Sequence, residues 1–534
     1  MHIRRSLRRS HRSRRSRTGV AFLSLAALLV SAVSGCSAEA SSTSTGSTAM
    51  AALAALPQAT PSALAPYYGQ KLNWRDCGVP GFECATMKAP LDYAEPDAGD
   101  VRLAVERRKA TGPGKRLGSL LVNPGGPGGS AVAYLQQYAG IGYPAAVRAR
   151  YDMVAVDPRG VASSEAVECL DGRAMDAYTQ TDTTPDDQRE TGELVDAYQE
   201  FAEGCGARSA RLLRHVSTVE AARDMDILRA LLGEGKLTYV GASYGTFLGA
   251  TYAGLFPDRV GRLVLDGAMD PSLPARRLNL DQTAGFETAF QSFAKDCVRQ
   301  PDCPLGRKGA APAKVGENLK AFFAKLDRRP IPAGDPDGRK LGEALATTGV
   351  IAAMYDESTW EQLREALNSA MKENDGSGLL VLSDSYYERD AEGRYANLMA
   401  ANAAVNCLDL PAAFTTPDQV EKALPSFEKA SPVFGEGLAW ASLNCAYWPV
   451  RATGEPHRIE ARGAAPIVVV GTTRDPATPY RWARSLAVQL ASARLLTYEG
   501  DGHTAYGRGS DCIDSAIDAY LLRGTPPTKG KRCS

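Results

Sequence analysis

Residues 241–245 read Gly-Ala-Ser-Tyr-Gly and lie between an apolar run and a stretch of small residues. The run at 237–240 predicts a strand, and the stretch at 246–255 predicts a helix. A strand, a Gly-x-Ser-x-Gly turn and a helix form a nucleophile elbow, which exposes a serine hydroxyl for covalent catalysis. The glycines are needed because the strained turn leaves no room for a neighbouring Cβ. An incidental glycine-rich turn is the alternative, but this context favours Ser243 as a nucleophile.

A serine hydroxyl is a poor nucleophile and needs a base, usually a histidine oriented by a carboxylate. The chain has five histidines. His2 and His11 lie in a basic N-terminal segment, His215 precedes a predicted helix, and His457 lies in a polar stretch. His503 lies in a glycine-rich loop directly after the last predicted strand. We therefore predict His503 as the general base.

The acid that orients the histidine is expected after a strand between the serine and the histidine. Asp475 follows the apolar run at 466–470. Its place gives the chain order Ser, Asp, His, which is that of a nucleophile-elbow enzyme. Asp501 is the rival, but it lies two residues from His503 and is poorly placed to align with Nδ1. We predict Asp475 as the acid.

The developing negative charge of an acyl-transfer intermediate requires two backbone N–H donors. Tyr244, next to the serine, is expected to supply one. The loop at 123–130, Asn-Pro-Gly-Gly-Pro-Gly-Gly-Ser, follows an apolar run and is expected to supply the other. It lacks the Gly-Lys ending of a phosphate-binding loop and the spacing of a dinucleotide fingerprint. Gly126 is the predicted second donor, and Gly125 is the next choice.

The elements that position these groups alternate between strands and helices. Predicted strands lie at 119–122, 153–156, 237–240, 262–265, 467–470 and 495–498, and 218–232 has helical periodicity. Such alternation predicts an α/β fold with a mostly parallel sheet flanked by helices.

The alternation stops near Pro271 and the chain then has a helical pattern to about Arg451. We predict a core formed by 67–270 and 455–534, interrupted by a helical cap at 271–454. An insertion at this point lies over the carboxyl ends of the strands, where ligands bind.

The N-terminal segment has the features of an export signal. Residues 1–35 hold eight arginines and no acidic residue, which leaves 53 basic against 61 acidic residues in the remainder. An acidic remainder argues against a nucleic-acid partner. A basic stretch, an apolar run at 19–33 and small residues predict a signal peptide over 1–36.

The end of this segment, Val33-Ser-Gly-Cys36, resembles a bacterial lipobox, which predicts lipidation of Cys36 and a cell-surface lipoprotein. Cleavage nearer 49–55, giving a freely secreted protein, is the alternative. Residues 37–66 are rich in Ala, Ser and Thr with almost no charge, and we predict a flexible linker there. The only expected membrane contact is through the lipid.

Eleven cysteines leave an even ten after lipidation of Cys36, which suits an exported protein with disulfides. A zinc site is the competing interpretation, but no Cys-x-x-Cys spacing occurs. Pairing between sequence neighbours is the simplest hypothesis: Cys77 with Cys84, Cys169 with Cys205, Cys297 with Cys303, Cys407 with Cys445, and Cys512 with Cys533.

These motifs, together with Asp157-Pro-Arg-Gly160, resemble those of the secreted tripeptidyl aminopeptidases of Streptomyces and related actinobacteria. These enzymes are prolyl-iminopeptidase-like α/β-hydrolases, and the resemblance runs from about residue 74 to 533. It implies an α/β-hydrolase fold with a helical cap, no metal or cofactor, and release of short peptides from free N-termini. By position it implies Ser243 as nucleophile, His503 as base and Asp475 as acid. It also implies an oxyanion hole formed by Gly126 and Tyr244.

Recognition of a substrate ammonium calls for carboxylates at the boundary of cap and core. The segment Asn406-Cys-Leu-Asp409 resembles a cap motif of these enzymes, although some members have an acid where Asn406 stands. Asp409 is the substrate-binding candidate, with Gly125, and a structural carboxylate is the alternative. Asp157 is predicted to belong to a turn that braces the active-site loops.

The predicted function is a monomeric, exported serine exopeptidase that releases tripeptides from peptides with free N-termini. The same triad supports ester or lactone hydrolysis, so a carboxylesterase is the alternative. A surface-binding lipoprotein with a vestigial hydrolase fold is a third possibility, in which Ser243 would be dispensable.

Overall fold

A ten-stranded sheet crosses the molecule, and its central strands are buried on both faces. The computed structural model describes residues 50–534, which form a single compact unit. The strands are β1 (Arg75–Asp76), β2 (Glu83–Pro90), β3 (Asp100–Arg108), β4 (Gly118–Asn123), β5 (Tyr151–Val156), β6 (Leu237–Ala242), β7 (Val260–Asp266), β8 (Ile331–Pro332), β9 (Lys340–Leu341), β10 (Ile467–Arg474), β11 (Ala493–Asp501) and β12 (Lys531–Cys533).

The helices flank the sheet or cover one of its edges. They are α1 (Ala65–Gly69), α2 (Ala131–Tyr134), α3 (Gly140–Gly142), α4 (Ala145–Arg148), α5 (Gly172–Gln180), α6 (Gln188–Ser209), α7 (Thr218–Leu231), α8 (Tyr244–Leu255), α9 (Ala275–Cys297), α10 (Pro312–Arg328), α11 (Glu343–Met354), α12 (Trp360–Asn368), α13 (Ser377–Tyr387), α14 (Leu398–Asp409), α15 (Pro417–Glu421), α16 (Leu424–Ala430), α17 (Gly435–Ala441), α18 (Tyr480–Gln489) and α19 (Asp511–Arg523).

Strand order in the large sheet is β1-β2-β3-β5-β4-β6-β7-β10-β11-β12. Strands from β5 to β12 pair in parallel, whereas β1, β2 and β3 pair antiparallel with one another and β3 with β5. The central strands are continuous apolar runs because both of their faces are covered by helices. The predicted α/β fold with a mostly parallel sheet is therefore confirmed.

Between β7 and β10 the chain forms the helices α9 to α17 and the small β8–β9 ribbon. Much of this segment has a hydrophobic core of its own, which includes Phe290, Leu345 and Leu379. Helix α14 instead packs into the main core through Ala404 and Leu408. The helices fall inside the insertion predicted at 271–454, and α14 connects it to the sheet domain.

The predicted flexible linker at 37–66 is wrong for its second half. The backbone N–H of Leu53 donates to Arg458 O at 2.8 Å, and that of Leu56 donates to Leu255 O at 2.9 Å. Leu64 is buried against the core. The leucines in this Ala-rich stretch are stabilised by burial of their apolar side chains. That stabilisation outweighs the effect of the low charge and small residues, which led to the linker prediction. Residues 37–49, the signal segment 1–36 and Cys36 lie outside the described residues.

Each of the ten cysteines from Cys77 to Cys533 is bonded to its sequence neighbour, as the simplest hypothesis predicts. Two bonds lie within the predicted cap segment, and the last one ties α19 to β12. Within 50–534, no helix combines the length and the apolar character that a bilayer span requires.

Candidate active site

Ser243 lies between the end of β6 and the start of α8, with a φ of 56°. A non-glycine residue in this region is strained, and its backbone is held by a hydrogen bond from Ser243 N–H to Asp266 O at 2.8 Å. A Cβ at Gly245 would lie 2.8 Å from Asn123 Oδ1, and one at Gly241 would lie 2.3 Å from the Gly245 carbonyl oxygen. Both positions therefore require glycine, and the local geometry is that of a nucleophile elbow.

His503 and Asp475 are in direct contact, although 28 residues separate them in the chain. Nδ1 of His503 lies 2.9 Å from each carboxylate oxygen of Asp475. The opposite ring nitrogen, Nε2, is buried and has no hydrogen-bond partner within residues 50–534. An imidazole held in this way by a carboxylate carries its proton on Nδ1 and leaves Nε2 as the basic nitrogen.

Asp475 is 2% exposed, and other donors also fix its carboxylate. Oδ1 accepts from the backbone N–H groups of Ala477 and Thr478, at 2.9 and 2.8 Å. Oδ2 accepts from the Thr478 hydroxyl at 3.1 Å and from Thr504 N–H at 3.2 Å. Since an ionised carboxylate is stabilised by such donors, Asp475 is suited to stabilise an imidazolium at His503.

The rival acid Asp501 has a different partner. Its two oxygens accept from the guanidinium of Arg474 at 2.7 and 2.6 Å. That ion pair holds the pKa of Asp501 below its usual value, against the effect of burial. Asp501 is thus occupied at the end of β11 and is not the partner of His503.

Asp266 is a site residue that the sequence reasoning missed. Its buried carboxylate, at the end of β7, accepts from the backbone N–H groups of Ala505 and Tyr506 at distances of 2.8 to 3.1 Å. Burial raises the pKa of Asp266, and these two N–H groups oppose the rise. Asp266 therefore fixes the loop that carries His503. The sequence did contain a signal for this residue: Asp266 is an acid at the end of an apolar strand, next to the strand that leads to Ser243.

The glycine-rich loop after β4 lies against the nucleophile. A Cβ at Gly125 would lie 2.8 Å from Ser243 Cβ and 2.9 Å from the backbone nitrogen of Tyr244. Gly125 and Gly126 have φ values of 99° and 110°, which disfavour any other residue. The loop is held by Asn123 Oδ1, which accepts from Gly125 N–H at 2.9 Å. The structure thus brings Gly125, Gly126 and Tyr244 together around Ser243.

Asp157 anchors the far end of that loop. Its Oδ1 accepts from the Ser130 hydroxyl at 2.9 Å and from Val132 N–H at 3.0 Å, and its Oδ2 accepts from Ser163 N–H at 3.2 Å. Arg159, two residues on, is fully buried and makes a bidentate pair with Asp224, both contacts at 2.7 Å. The Asp-Pro-Arg-Gly turn is a structural brace for the active-site loop.

Asp409 does not line the cleft, so its predicted role in substrate binding is wrong. Its side chain is buried, and both oxygens accept hydrogen bonds from Thr218, at the start of α7. The Thr218 hydroxyl also lies 2.6 Å from the hydroxyl of Tyr244. Residues of α14 that line the cleft are Asn402 and Asn406 instead, whereas the Asp409 side chain, at the end of the helix, is directed to Thr218 in the interior.

A cleft of about 330 Å³ opens beside Ser243, between the core and the helical segment. The side chains that line it, within the described part of the chain, include no carboxylate, lysine or arginine. Its polar lining residues include Asn279, Gln282, Asn402, Asn406, Ser442 and Asn444, and its apolar ones include Met269, Leu278, Leu410, Leu438 and Trp482. The site can therefore carry out acyl transfer on a substrate whose acyl part is held by amides and apolar contacts.

Comparisons with known proteins agree with this geometry. A family model described as TAP-like protein matches residues 431–533, which contain Asp475 and His503. The chain is 38% identical to serine protease Hip1 of Mycobacterium tuberculosis over 484 residues, which are 88% of this chain and 92% of the relative.

Two further relatives are named for other activities. Carboxylesterase B of Mycobacterium tuberculosis is 37% identical, over 88% of this chain and 91% of its own. Tripeptidyl aminopeptidase of Streptomyces lividans is 33% identical, over 87% of this chain and 86% of its own. Identity at this level along nearly the full length of both proteins reflects a shared fold. The chain therefore belongs to the tripeptidyl-aminopeptidase-like family of α/β-hydrolases, and it is a serine hydrolase.

Proposed function

We propose that the chain is an exported serine exopeptidase that releases short peptides, tripeptides in the first instance, from free N-termini. The observation that carries the proposal is the cleft beside Ser243, which is walled by the helical segment and lined by amide side chains. A cleft of about 330 Å³ is at the lower end of the range for small-ligand pockets, so it suits a short peptide rather than a folded segment. The relatives named serine protease and tripeptidyl aminopeptidase support the same activity.

The first half of the proposed reaction forms an acyl-enzyme. Nε2 of His503 takes the proton of the Ser243 hydroxyl as its oxygen attacks the scissile carbonyl carbon. The carbonyl oxygen becomes negatively charged and is stabilised by the N–H groups of Gly126 and Tyr244. The imidazolium, stabilised by Asp475, then gives its proton to the leaving amine as the bond to carbon breaks.

The second half releases the peptide. A water molecule gives a proton to Nε2 of His503 and attacks the ester carbonyl carbon of the acyl-enzyme. The same two N–H groups stabilise the second oxyanion. The ester bond to Ser243 breaks, the imidazolium returns a proton to the serine oxygen, and the peptide leaves with a free carboxylate.

Recognition of the N-terminus is assigned to Asn406 within this proposal. Its Nδ2 donates to Asn402 Oδ1 at 2.9 Å, and Asn402 Nδ2 in turn donates to Pro127 O at 3.1 Å. These two hydrogen bonds orient the side chain of Asn406. Its Oδ1 then remains available to accept a hydrogen bond at the cleft. An ammonium group can donate to an amide oxygen, with less gain than to a carboxylate.

A carboxylesterase is the second candidate function. It is favoured by the lack of any carboxylate among the cleft-lining residues in the described part of the chain. An ester substrate has no ammonium to recognise, and a neutral cleft suits an uncharged acyl group. The relative named carboxylesterase B is as similar to this chain as the serine protease is.

The test compares three substrates: a tripeptide p-nitroanilide, its N-acetylated form and a short-chain p-nitrophenyl ester. Hydrolysis of the free-amine peptide, with little of the acetylated one, supports the exopeptidase. Hydrolysis of the ester alone would support the carboxylesterase. The matched control is the Ser243→Ala variant, in which every activity should be lost.

Export through the segment 1–36 and lipidation at Cys36 complete the proposal. Five disulfides are typical of proteins that fold in an oxidising compartment outside the cytoplasm. Mass spectrometry of the N-terminal peptide from the native host tests the anchor. A diacylglyceryl group on Cys36 supports it, and an unmodified N-terminus further along the chain would support free secretion instead.

A further inference from the structure

A second cavity, of about 740 Å³, adjoins the catalytic histidine. Its lining residues include His503, Tyr355, Glu357 and Arg508, but not Ser243 or Gly126. Tyr355 lines both this cavity and the cleft beside Ser243, and its ring lies edge-on to the His503 imidazole at 5.5 Å. Tyr355 therefore lies between the two spaces, beside the catalytic histidine, which lines only the second one.

The chemistry assigns a different half of the substrate to each space. The acyl carbon bonds to Ser243 and its oxygen meets Gly126 and Tyr244, so the acyl half lies in the cleft that contains Ser243 and Gly126. The leaving group takes its proton from Nε2 of His503, so it departs on the histidine side. The cavity that His503 lines, without the nucleophile, is the space on that side.

The second cavity continues into a third, of about 700 Å³, with which it shares Glu357, Ser358 and Asp501. This outer part runs along the boundary of the helical segment and the core, past Trp360 and Arg364. Trp360 and Arg364 are 7% and 9% exposed, and the indole Nε1 and the guanidinium Nε have no hydrogen-bond partner in the described part of the chain. We call the two joined cavities the leaving-group groove.

The charged side chains of the groove are mostly paired. Arg474 pairs with Asp501 at 2.6 Å, Arg508 with Asp356 at 3.1 Å, and Arg364 with Asp296 at 2.9 Å. Glu357, Glu361 and Lys295 are the exceptions, because within residues 50–534 their side chains form no ion pair or hydrogen bond, and of these only Glu357 also lines the inner cavity.

Glu357 lies at the point where the two cavities join, in the short 3-10 turn Glu357–Thr359, two residues after Tyr355. Partial burial, and then the charge of Asp501, raise the pKa of this carboxyl. Arg508 and Arg474 oppose that rise, but both are paired with other acids, so the unpaired Glu357 carboxylate is an open acceptor for a positive charge where the cavities join.

We propose that the leaving-group groove binds the polypeptide C-terminal to the scissile bond, and that Glu357 makes the enzyme prefer a lysine or arginine close after that bond. A groove that is long and lined by polar and charged side chains suits an extended peptide rather than a small alcohol. The inference rests on the proposed peptidase function and deepens it by naming a substrate preference.

The experiment uses the full-length chain and three free-amine hexapeptides, Ala-Ala-Ala-X-Ala-Ala, in which X is Lys, Ala or Glu. The values of kcat/KM for release of tri-alanine are measured by chromatography. We expect the lysine peptide to exceed the glutamate peptide by about tenfold, the effect of one hydrogen bond to a charged group. In Glu357→Gln this ratio should fall at least threefold.

Glu361→Gln is the matched control, since Glu361 is an exposed glutamate that lines only the outer part of the groove. It should leave the ratio within twofold of wild type, and melting curves verify that both variants fold. A wild-type ratio near one, or an equal ratio in wild type and Glu357→Gln, would overturn the inference while leaving the peptidase intact. Hexapeptides left uncut by an enzyme that hydrolyses the ester would overturn the proposed function, and this inference with it.

Discussion

Asp409 and Thr218 are joined by two hydrogen bonds, although 191 residues separate them. The backbone N–H of Thr218 donates to Oδ1 at 2.8 Å, and its hydroxyl donates to Oδ2. The same hydroxyl lies 2.6 Å from the hydroxyl of Tyr244, whose backbone N–H is the proposed oxyanion donor. One buried carboxylate at the end of α14 thus connects the helical segment to the start of α7 and to the nucleophile elbow.

Protein stability should depend on the charge of Asp409. Burial raises the pKa of Asp409 from 3.8 to about 7, with a smaller effect of Glu220 in the same direction and an opposing effect of the Thr218 donors. The folded state then binds this proton more tightly than the unfolded state does. The resulting stabilisation is complete below pH 3.8 and is lost as pH rises through about 7.

The variant Asp409→Asn cannot titrate, so it should lose less stability than the wild type as pH rises from 4 to 8. We expect the difference in free energy of unfolding to change by about 1 kcal/mol or more over this range. Urea unfolding at pH 4, 6 and 8 measures it. Parallel pH curves for the two proteins would show that this carboxyl does not titrate in that window.

The choice between Asp475 and Asp501 can be tested by the same substitution at both positions. Asp475→Asn should lower kcat by roughly 10⁴-fold with any cleaved substrate, because the amide favours the wrong tautomer of His503. Asp501→Asn should keep activity within about tenfold, since its partner is Arg474. Equal losses in the two variants, measured with the p-nitrophenyl ester, would contradict the assignment.

The close approach of the oxyanion loop makes Gly125 irreplaceable. In Gly125→Ala the new Cβ would meet Ala242 O at 2.5 Å and Ser243 Cβ at 2.8 Å, so the loop must move. A fall in kcat of at least 10²-fold is expected, as when an oxyanion donor is removed. Gly114→Ala is the control, because Gly114 has a similar φ of 119° with no atom near its Cβ. It should cost about 1 kcal/mol of stability and leave kcat unaltered.

A carboxylate at position 406 should sharpen recognition of the substrate N-terminus. In Asn406→Asp, the ratio of kcat/KM for the free-amine peptide over its acetylated form should rise about tenfold, since a charged acceptor binds ammonium more strongly. Asn406→Leu, of similar size but without an acceptor, should lower the ratio. If both substitutions leave the ratio as in wild type, the ammonium is bound elsewhere.

Local patterns were enough to predict the sheet strands that carry the chemistry, because apolar runs, glycine turns and single polar residues coincide there. β6, Ser243 and the loop after β4 are examples. The antiparallel β3 was missed, since it alternates buried and more exposed residues along its first half and holds five charged ones that mask its apolar face. The helices α5 and α6 were also missed, because their insertion interrupts the strand–helix alternation.

The position of Asp409 shows what the sequence could not supply. Asp409, three residues after Asn406, matches the cap motif in sequence whether its side chain faces the cleft or the core. Its burial depends on Thr218 and Tyr244, which come near it only in the folded protein. Glu357 is likewise unpaired because the arginines near it pair with other acids. No local sequence pattern shows that pairing.

The attachment of Leu56 to Leu255 ties the segment after Met50 to the helix that carries the nucleophile. Leu255 ends α8 and Ser243 precedes its first residue, so about 18 Å of helix separates the two points. The N–H of Leu56 donates to the Leu255 carbonyl oxygen, which would otherwise lack a partner at the helix end. A chain shortened to begin after Leu56 would expose that carbonyl at the far end of the nucleophile helix.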